Sequence, residues 1–222
     1  MKMEKTKITI LTVLVSICFT CAQQQESEIK ADAPINSTYA LEVVIPDLEN
    51  PWGMVFLPDS SILFTEKSGQ LFHFKNGIKT NIEGLPEIYV RGQGGLLDLE
   101  LHPNYKDNGW LYISYSSPEG EGEGGNTAIM RAKLNDNKLV NKELLYKAIP
   151  NTKKGQHWGS RIEFDNDGYF YFSVGDRGQR DVNPQDITLD GGKIYRLHDD
   201  GSIPKDNPFI NFYHKHISGI SY

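Results

Sequence analysis

The sequence predicts an all-β protein built as a β-propeller, with about three blades in this chain. Three observations predict it. Apolar runs of four to seven residues, rich in β-branched and aromatic side chains, are bounded by Gly, Asn, Asp or Pro. No 3.6-residue periodicity is sustained long enough for a substantial helix. The runs also form three similar groups whose closing strand and turn recur after 58 and then 64 residues. Weak self-similarity at that period, with several strands per unit, marks propeller blades. A β-sandwich also spaces its strands evenly and is the competing architecture.

The elements follow in order. Leu41-Glu-Val-Val-Ile45 alternates and predicts an opening strand. Met54 to Leu57, Ile62 to Thr65 and Leu71 to Phe74 alternate likewise, and Asn76-Gly77 is a hairpin turn. The second group is Leu96 to Leu101, Leu111 to Tyr115 and Ala128 to Leu134. The third is Ile162 to Phe164, a turn at Asp165-Asn-Asp-Gly168, Tyr169 to Val174, and Lys193 to Leu197. Ile217 to Tyr222 reads as the first strand of a further blade. At ~60 residues per blade the chain holds about three, and propellers need at least four. The chain is therefore expected to be the N-terminal half of a longer protein or a truncated product.

Residues 1–22 stand apart. Lys2, Lys5 and Lys7 precede an apolar run from Ile8 to Phe19, and Thr20 and Ala22 are small. A bilayer span needs ~20 apolar residues, so this is read as a secretory signal peptide. Cleavage after Ala22 gives a soluble protein; cleavage before Cys21 gives a lipid-anchored one, and the soluble form is favoured. Residues 23–40 read as a flexible linker, and 41–222 as the partial propeller. Export to the periplasm or outer envelope is expected. Both cysteines, Cys18 and Cys21, lie in the leader, which excludes disulfides and cysteine chemistry from the remainder. The leader carries three Lys and one Glu; the whole chain is at −6, so the remainder is at −8. That acidity argues against nucleic acid and anionic membrane as partners.

Three loops hold candidate chemistry. Gly155-Gln-His-Trp-Gly-Ser-Arg161 precedes a first strand, where propeller loops converge on the central channel, and places His157 among glycines. A histidine there can act as a general base near neutral pH, or it can simply hydrogen-bond its own loop. Asp176, in Val174-Gly-Asp-Arg-Gly-Gln179, follows the next strand and can orient a base histidine; it can equally be a solvated turn residue. Gln93, in Arg91-Gly-Gln-Gly-Gly-Leu-Leu97, has glycines on both sides, so a flat ligand can approach its amide; a Gly-rich β-turn is the plainer reading. Asp165-Asn-Asp-Gly168 lacks the distal acidic ligands of a calcium loop. His73, His102, His198, His214 and His216 show no metal-ligand spacing.

The chain resembles the soluble quinoprotein glucose dehydrogenases and their aldose sugar dehydrogenase relatives. The matching stretches are Asn50 to Asp59, Gly92 to Asp98, His157 with Arg161, Val174 to Asp176, and Gly201 to Pro208. The short loops bring it nearer the aldose sugar dehydrogenase branch. The resemblance implies a six-bladed propeller holding pyrroloquinoline quinone (PQQ) and calcium. It implies that His157 takes the proton of the sugar's anomeric hydroxyl while hydride passes to the quinone, giving a lactone. By the same resemblance Asp176 stands beside the base, and Gln93 and Arg161 contact PQQ. The family's Arg-Asn-Pro-Gln motif should follow Tyr222, and the calcium ligands and later cofactor contacts would lie beyond it too. Electrons are expected to leave to a separate acceptor. Two competing readings remain: a non-catalytic sugar- or protein-binding propeller, and a calcium-dependent propeller lactonase.

Overall fold

A computed structural model describes residues 39–211 and the backbone of 217–220. The chain divides into two units, Met1–Val43 and Val44–Tyr222. The expected leader, Cys21 and all of the linker but its last two residues lie outside the described residues. Leu41 and Val43 are exposed and belong to no strand, and neither do Val44 and Ile45. The alternation predicted at Leu41 to Ile45 therefore forms no strand: period-two patterning needs a partner ladder, and none pairs with it among the described residues.

The second unit is three four-stranded antiparallel sheets, each in sequential order. The first holds β1 (Pro51–Phe56), β2 (Ile62–Glu66), β3 (Gln70–Lys75) and β4 (Ile78–Ile82). The second holds β5 (Leu96–Leu101), β6 (Trp110–Ser117), β7 (Asn126–Asn135) and β8 (Lys138–Lys147). The third holds β9 (Gly159–Phe164), β10 (Tyr169–Val174), β11 (Lys193–His198) and β12 (Ile217–Ile220). A single helical turn, α1 (Tyr105–Asn108), ends on Gly109 at φ 70°. The three sheets are blades of a β-propeller.

Two corrections to the expected strands follow. β12 pairs antiparallel with β11, Lys193 opposite Ile220, so it is the outer strand of the third blade and not the first strand of a fourth. β4 and β8 also complete their blades, although the sequence pattern did not reveal them. Their outer position explains why: Ile-Lys-Thr-Asn-Ile and the middle of β8 face solvent and alternate weakly.

The inner part of the second blade is buried on both faces, and β6 shows how. Leu111, Ile113 and Tyr115 pack with Val55, Leu63, Leu71 and Ile82 of the first blade. Tyr112, pointing the other way, packs with Ile162, Phe170 and Leu197 of the third. Each such fully buried side chain contributes about 1.5–3 kcal/mol. β5 touches both β1 and β9, so the first strands of the blades are neighbours.

All three first strands carry the same irregularity. Pairing places Pro51 to Met54, Leu96 to Leu99 and Gly159 to Ile162 each opposite one residue fewer on the second strand. These are β-bulges, and a bulge turns a side chain out of the ladder. A hydroxyl on the second strand takes a backbone N–H left free at each bulge. The Gly53 N–H donates to Thr65 Oγ1 at 2.9 Å, that of Asp98 to Ser114 Oγ at 2.8 Å, and that of Ser160 to Ser173 Oγ at 3.2 Å.

Candidate active site

Two loops lace together ahead of β5 and β9. The Gln93 backbone N–H donates to the Gly155 carbonyl at 2.7 Å. The His157 backbone N–H donates to Gln93 Oε1 at 2.8 Å. The glycines flanking Gln93 allow this approach: a Cβ at Gly92 would collide with the Gly155 carbonyl, and one at Gly94 with the Trp158 ring. Behind the loop, a Cβ at Gly175 would collide with the His157 carbonyl. His157 itself sits at φ 53°. That left-handed conformation costs an L-residue about 1–2 kcal/mol, so contacts on both sides must hold it.

The His157 ring meets Asp176 across the third blade. Nδ1 lies 2.7 Å from Asp176 Oδ1, and the Gly178 N–H donates to the same oxygen at 2.6 Å. Partial burial pushes the Asp176 carboxyl up, but hydrogen bonds from His157 and Gly178 outweigh it, and the net shift is downward. Asp176 is thus a carboxylate near neutral pH, and a carboxylate only accepts. In the neutral imidazole Nδ1 then carries the proton, and the lone pair is on Nε2, the nitrogen turned away from Asp176. The His157 side chain is about half exposed, at 52%. It lines an open cavity of about 360 Å³ with Gln156, Asp176, Gln179, Arg180 and Val182. The geometry supplies an oriented, solvent-facing base.

A second cluster forms on the bulges. Arg161 Nη1–H donates to Asp98 Oδ1 at 2.8 Å, and the Ile162 N–H donates to Asp98 Oδ2 at 2.7 Å. The Arg161 guanidinium lies 4.9 Å from the centroid of the Trp52 ring. Burial pushes the Asp98 carboxyl up, against the Ile162 N–H and the Arg161 charge. Arg161 remains two-thirds exposed, while Asp98 is buried. Among the described residues no hydrogen bond or ion pair joins Arg161 to His157, Asp176 or Gln93.

The four expected site residues therefore divide into a linked trio, Gln93–His157–Asp176, and a separate Arg161. Trp52 and Asp98 were missed as site residues, although both fall in stretches that carry the resemblance. Arg177, which follows Asp176 directly, was missed as well; nothing in its sequence position distinguishes it from a turn arginine.

The exposed guanidinium of Arg161 and the amide of Gln93 suit a flat, carboxylated quinone: one is a cation held ready by Asp98, the other an amide between glycines. Glu163, exposed two residues beyond Arg161 on β9, adds negative charge that an anion would avoid. No cluster of three or more histidines and carboxylates able to hold a metal ion occurs among the described residues.

The Glucose / Sorbosone dehydrogenase family model matches residues 48–220. Aldose sugar dehydrogenase YliI of Escherichia coli is 36% identical over 179 residues, covering 78% of this chain and 48% of that protein. The PQQ-bound structure of an aldose sugar dehydrogenase from Streptomyces coelicolor superposes with a TM-score of 0.68 at 27% identity, over 81% of this chain and 52% of that one. The human Hedgehog-interacting protein is 27% identical over 207 residues, covering 79% of this chain and 29% of that protein. The chain spans about half the length of the curated sugar dehydrogenase relatives it matches.

Proposed function

The chain belongs to the glucose/sorbosone dehydrogenase family, and on that premise we propose that the protein carrying it oxidises aldose sugars at the anomeric carbon to lactones with PQQ. His157 is its general base. The observation that carries this reading is the 2.7 Å contact of His157 Nδ1 with Asp176, which leaves Nε2 free at an open cavity. When bound, PQQ would supply the quinone that takes the hydride and, with it, both electrons of the oxidation.

This chain's own residues handle the proton. Nε2 takes it from the anomeric hydroxyl, either directly at about 3 Å or through one water. The imidazolium that forms is stabilised by the Asp176 carboxylate through Nδ1–H. Gln93 fixes the base from behind through the His157 N–H. Arg161, braced by Asp98 and Trp52, and the Gln93 amide would hold PQQ. Among the described residues no cluster of three or more His, Cys, Asp or Glu could hold calcium. Electrons leave to a separate acceptor. The basic start and apolar run of residues 1–22 support export to the cell envelope, soluble after Ala22 or anchored at Cys21.

The test uses the complete gene product loaded with PQQ and calcium, following dye reduction by a panel of aldoses. Reduction is expected with at least one aldose; none by a folded, PQQ-loaded protein would sink the dehydrogenase reading. His157→Ala is expected to lower kcat about 10²–10⁴-fold, the usual worth of a general base. A loss of only a few-fold would reject the base role. A binding propeller has one specific support: the family likeness extends to the Hedgehog-interacting protein, whose name denotes binding. Sugar binding without dye reduction would select that reading.

A further inference from the structure

We propose that Arg177 is the positioning residue that sets the orientation of His157, by clamping the backbone before it and the Trp158 ring after it. This deepens the reading of His157 as the base and rests on it.

Arg177 is only 2% exposed, unusual for an arginine. Its Nη1–H donates to the Gln156 carbonyl and its Nη2–H to the Lys154 carbonyl, both at 2.6 Å. Its guanidinium carbon lies 3.3 Å from the centroid of the Trp158 ring. One planar group thus grips the Lys154 and Gln156 carbonyls before His157 and the Trp158 side chain after it. The Arg177 N–H also points at the His157 carbonyl, at 3.4 Å. Arg177 is adjacent in sequence to Asp176, the partner of the His157 ring. The residue that fixes the loop and the residue that fixes the ring are therefore covalent neighbours.

Packing alone does not call for an arginine. Burial pulls its pKa down to about 10, so the buried charge is costly, and a methionine would fill similar space without that cost. Methionine could not hold two carbonyls at once. The two forked donors suit a backbone that must keep His157 at φ 53°. Lysine could keep the charge near Trp158 but lacks the planar fork.

The test compares Arg177→Met and Arg177→Lys with wild type in the complete gene product. The first readout is imidazole nitrogen NMR of the protein without PQQ, which reports the His157 tautomer directly. Wild type is expected to hold the proton on Nδ1. Arg177→Met is expected to populate both tautomers while unfolding as cooperatively as wild type. The second readout is kinetic in the loaded enzyme: kcat falls about 10–100-fold and KM moves less than about 3-fold, since misplacing a catalytic group by ~1 Å can cost 10²-fold. Arg177→Lys should fall between. A cooperatively folded Arg177→Met with the wild-type tautomer and wild-type kcat overturns the proposal. Should Arg177→Met not fold, Arg177→Lys decides: a mixed tautomer with kcat lowered and KM kept supports the clamp, and wild-type values of both overturn it. Should His157→Ala prove active, the base reading fails, and the tautomer of the Arg177 variants still decides whether the clamp exists.

Discussion

Asp98 joins the second and third blades, and its removal tests that joint quantitatively. Its Oδ2 accepts the Ile162 N–H at 2.7 Å, and its Oδ1 accepts Arg161 at 2.8 Å. Ile162 is 0% exposed, so in Asp98→Ala its N–H has no route to water. A buried donor stripped of its partner costs about 1–3 kcal/mol. The lost Arg161 bond adds only about 0–1 kcal/mol, because the guanidinium is 66% exposed and water replaces the carboxylate. Opposing both, burial of the Asp98 charge is itself unfavourable, as its raised pKa shows, and alanine relieves it. The net expectation is a loss of about 1–3 kcal/mol for Asp98→Ala. Asp98→Asn keeps an acceptor for Ile162 and sheds the charge, so it should cost less than Asp98→Ala. Urea unfolding of the complete gene product, with m-values compared, measures both. Equal losses for the two variants would refute the reasoning, since the Ile162 N–H would then not be the dominant quantity. In both variants Arg161 loses its brace, and PQQ affinity should fall with it.

Other expectations concern the loop and the bulges. Gly175→Ala places a methyl against the His157 carbonyl, so kcat should fall about 10²-fold in a protein that still gives a wild-type circular dichroism spectrum. Asp176 has a lowered pKa, so its ionisation contributes stability that is present above its ordinary value and lost as pH falls through the folded one. Acid unfolding below about pH 4 should therefore be shallower for Asp176→Asn than for wild type. Thr65→Val leaves the Gly53 N–H without its 2.9 Å acceptor and should cost about 1–3 kcal/mol in urea unfolding.

The strands were legible where they bury a face. β2, β3, β5, β6, β7, β10 and β11 all contain the apolar runs read from the sequence, because each packs on a neighbouring blade. β4 and the middle of β8 were not, because solvent accepts almost any side chain there. The run at Leu41 had the right alternation but no partner strand among the described residues, so patterning alone overstated it. The site was legible as residues and not as geometry. Gln93, His157 and Asp176 were singled out by their glycine neighbours, yet the glycines serve close approach between loops as much as access for a ligand. One repeat signal was present and passed over. Thr65, Ser114 and Ser173 stand at corresponding places in the second strands, each opposite a bulge. In each blade that hydroxyl takes a backbone N–H of the bulge opposite. The recurrence of Thr65, Ser114 and Ser173 thus marks the strands whose bulged partners include Trp52, Asp98 and Arg161.

The bulges also bear on why the site divides into two groups. Arg161 is turned out by the bulge of β9 and is fixed from the second blade by Asp98, while His157 is fixed from the third by Asp176. The cation and the base therefore have separate side-chain partners, Asp98 for the one and Asp176 with Gln93 for the other, and the only covalent path between them runs through Trp158, Gly159 and Ser160. Trp158 is buried against Arg177, and the Ser160 N–H is held by Ser173, so this short path has little freedom. A substrate proton and a bound anion could then be handled independently: loss of Asp98 should weaken anion binding with His157 in place, and loss of Arg177 should disturb His157 with Arg161 in place. Combining Asp98→Asn with Arg177→Lys is the direct check. Multiplicative effects on kcat/KM support two separately braced groups, and a double variant no worse than the poorer single variant shows that they act as one unit.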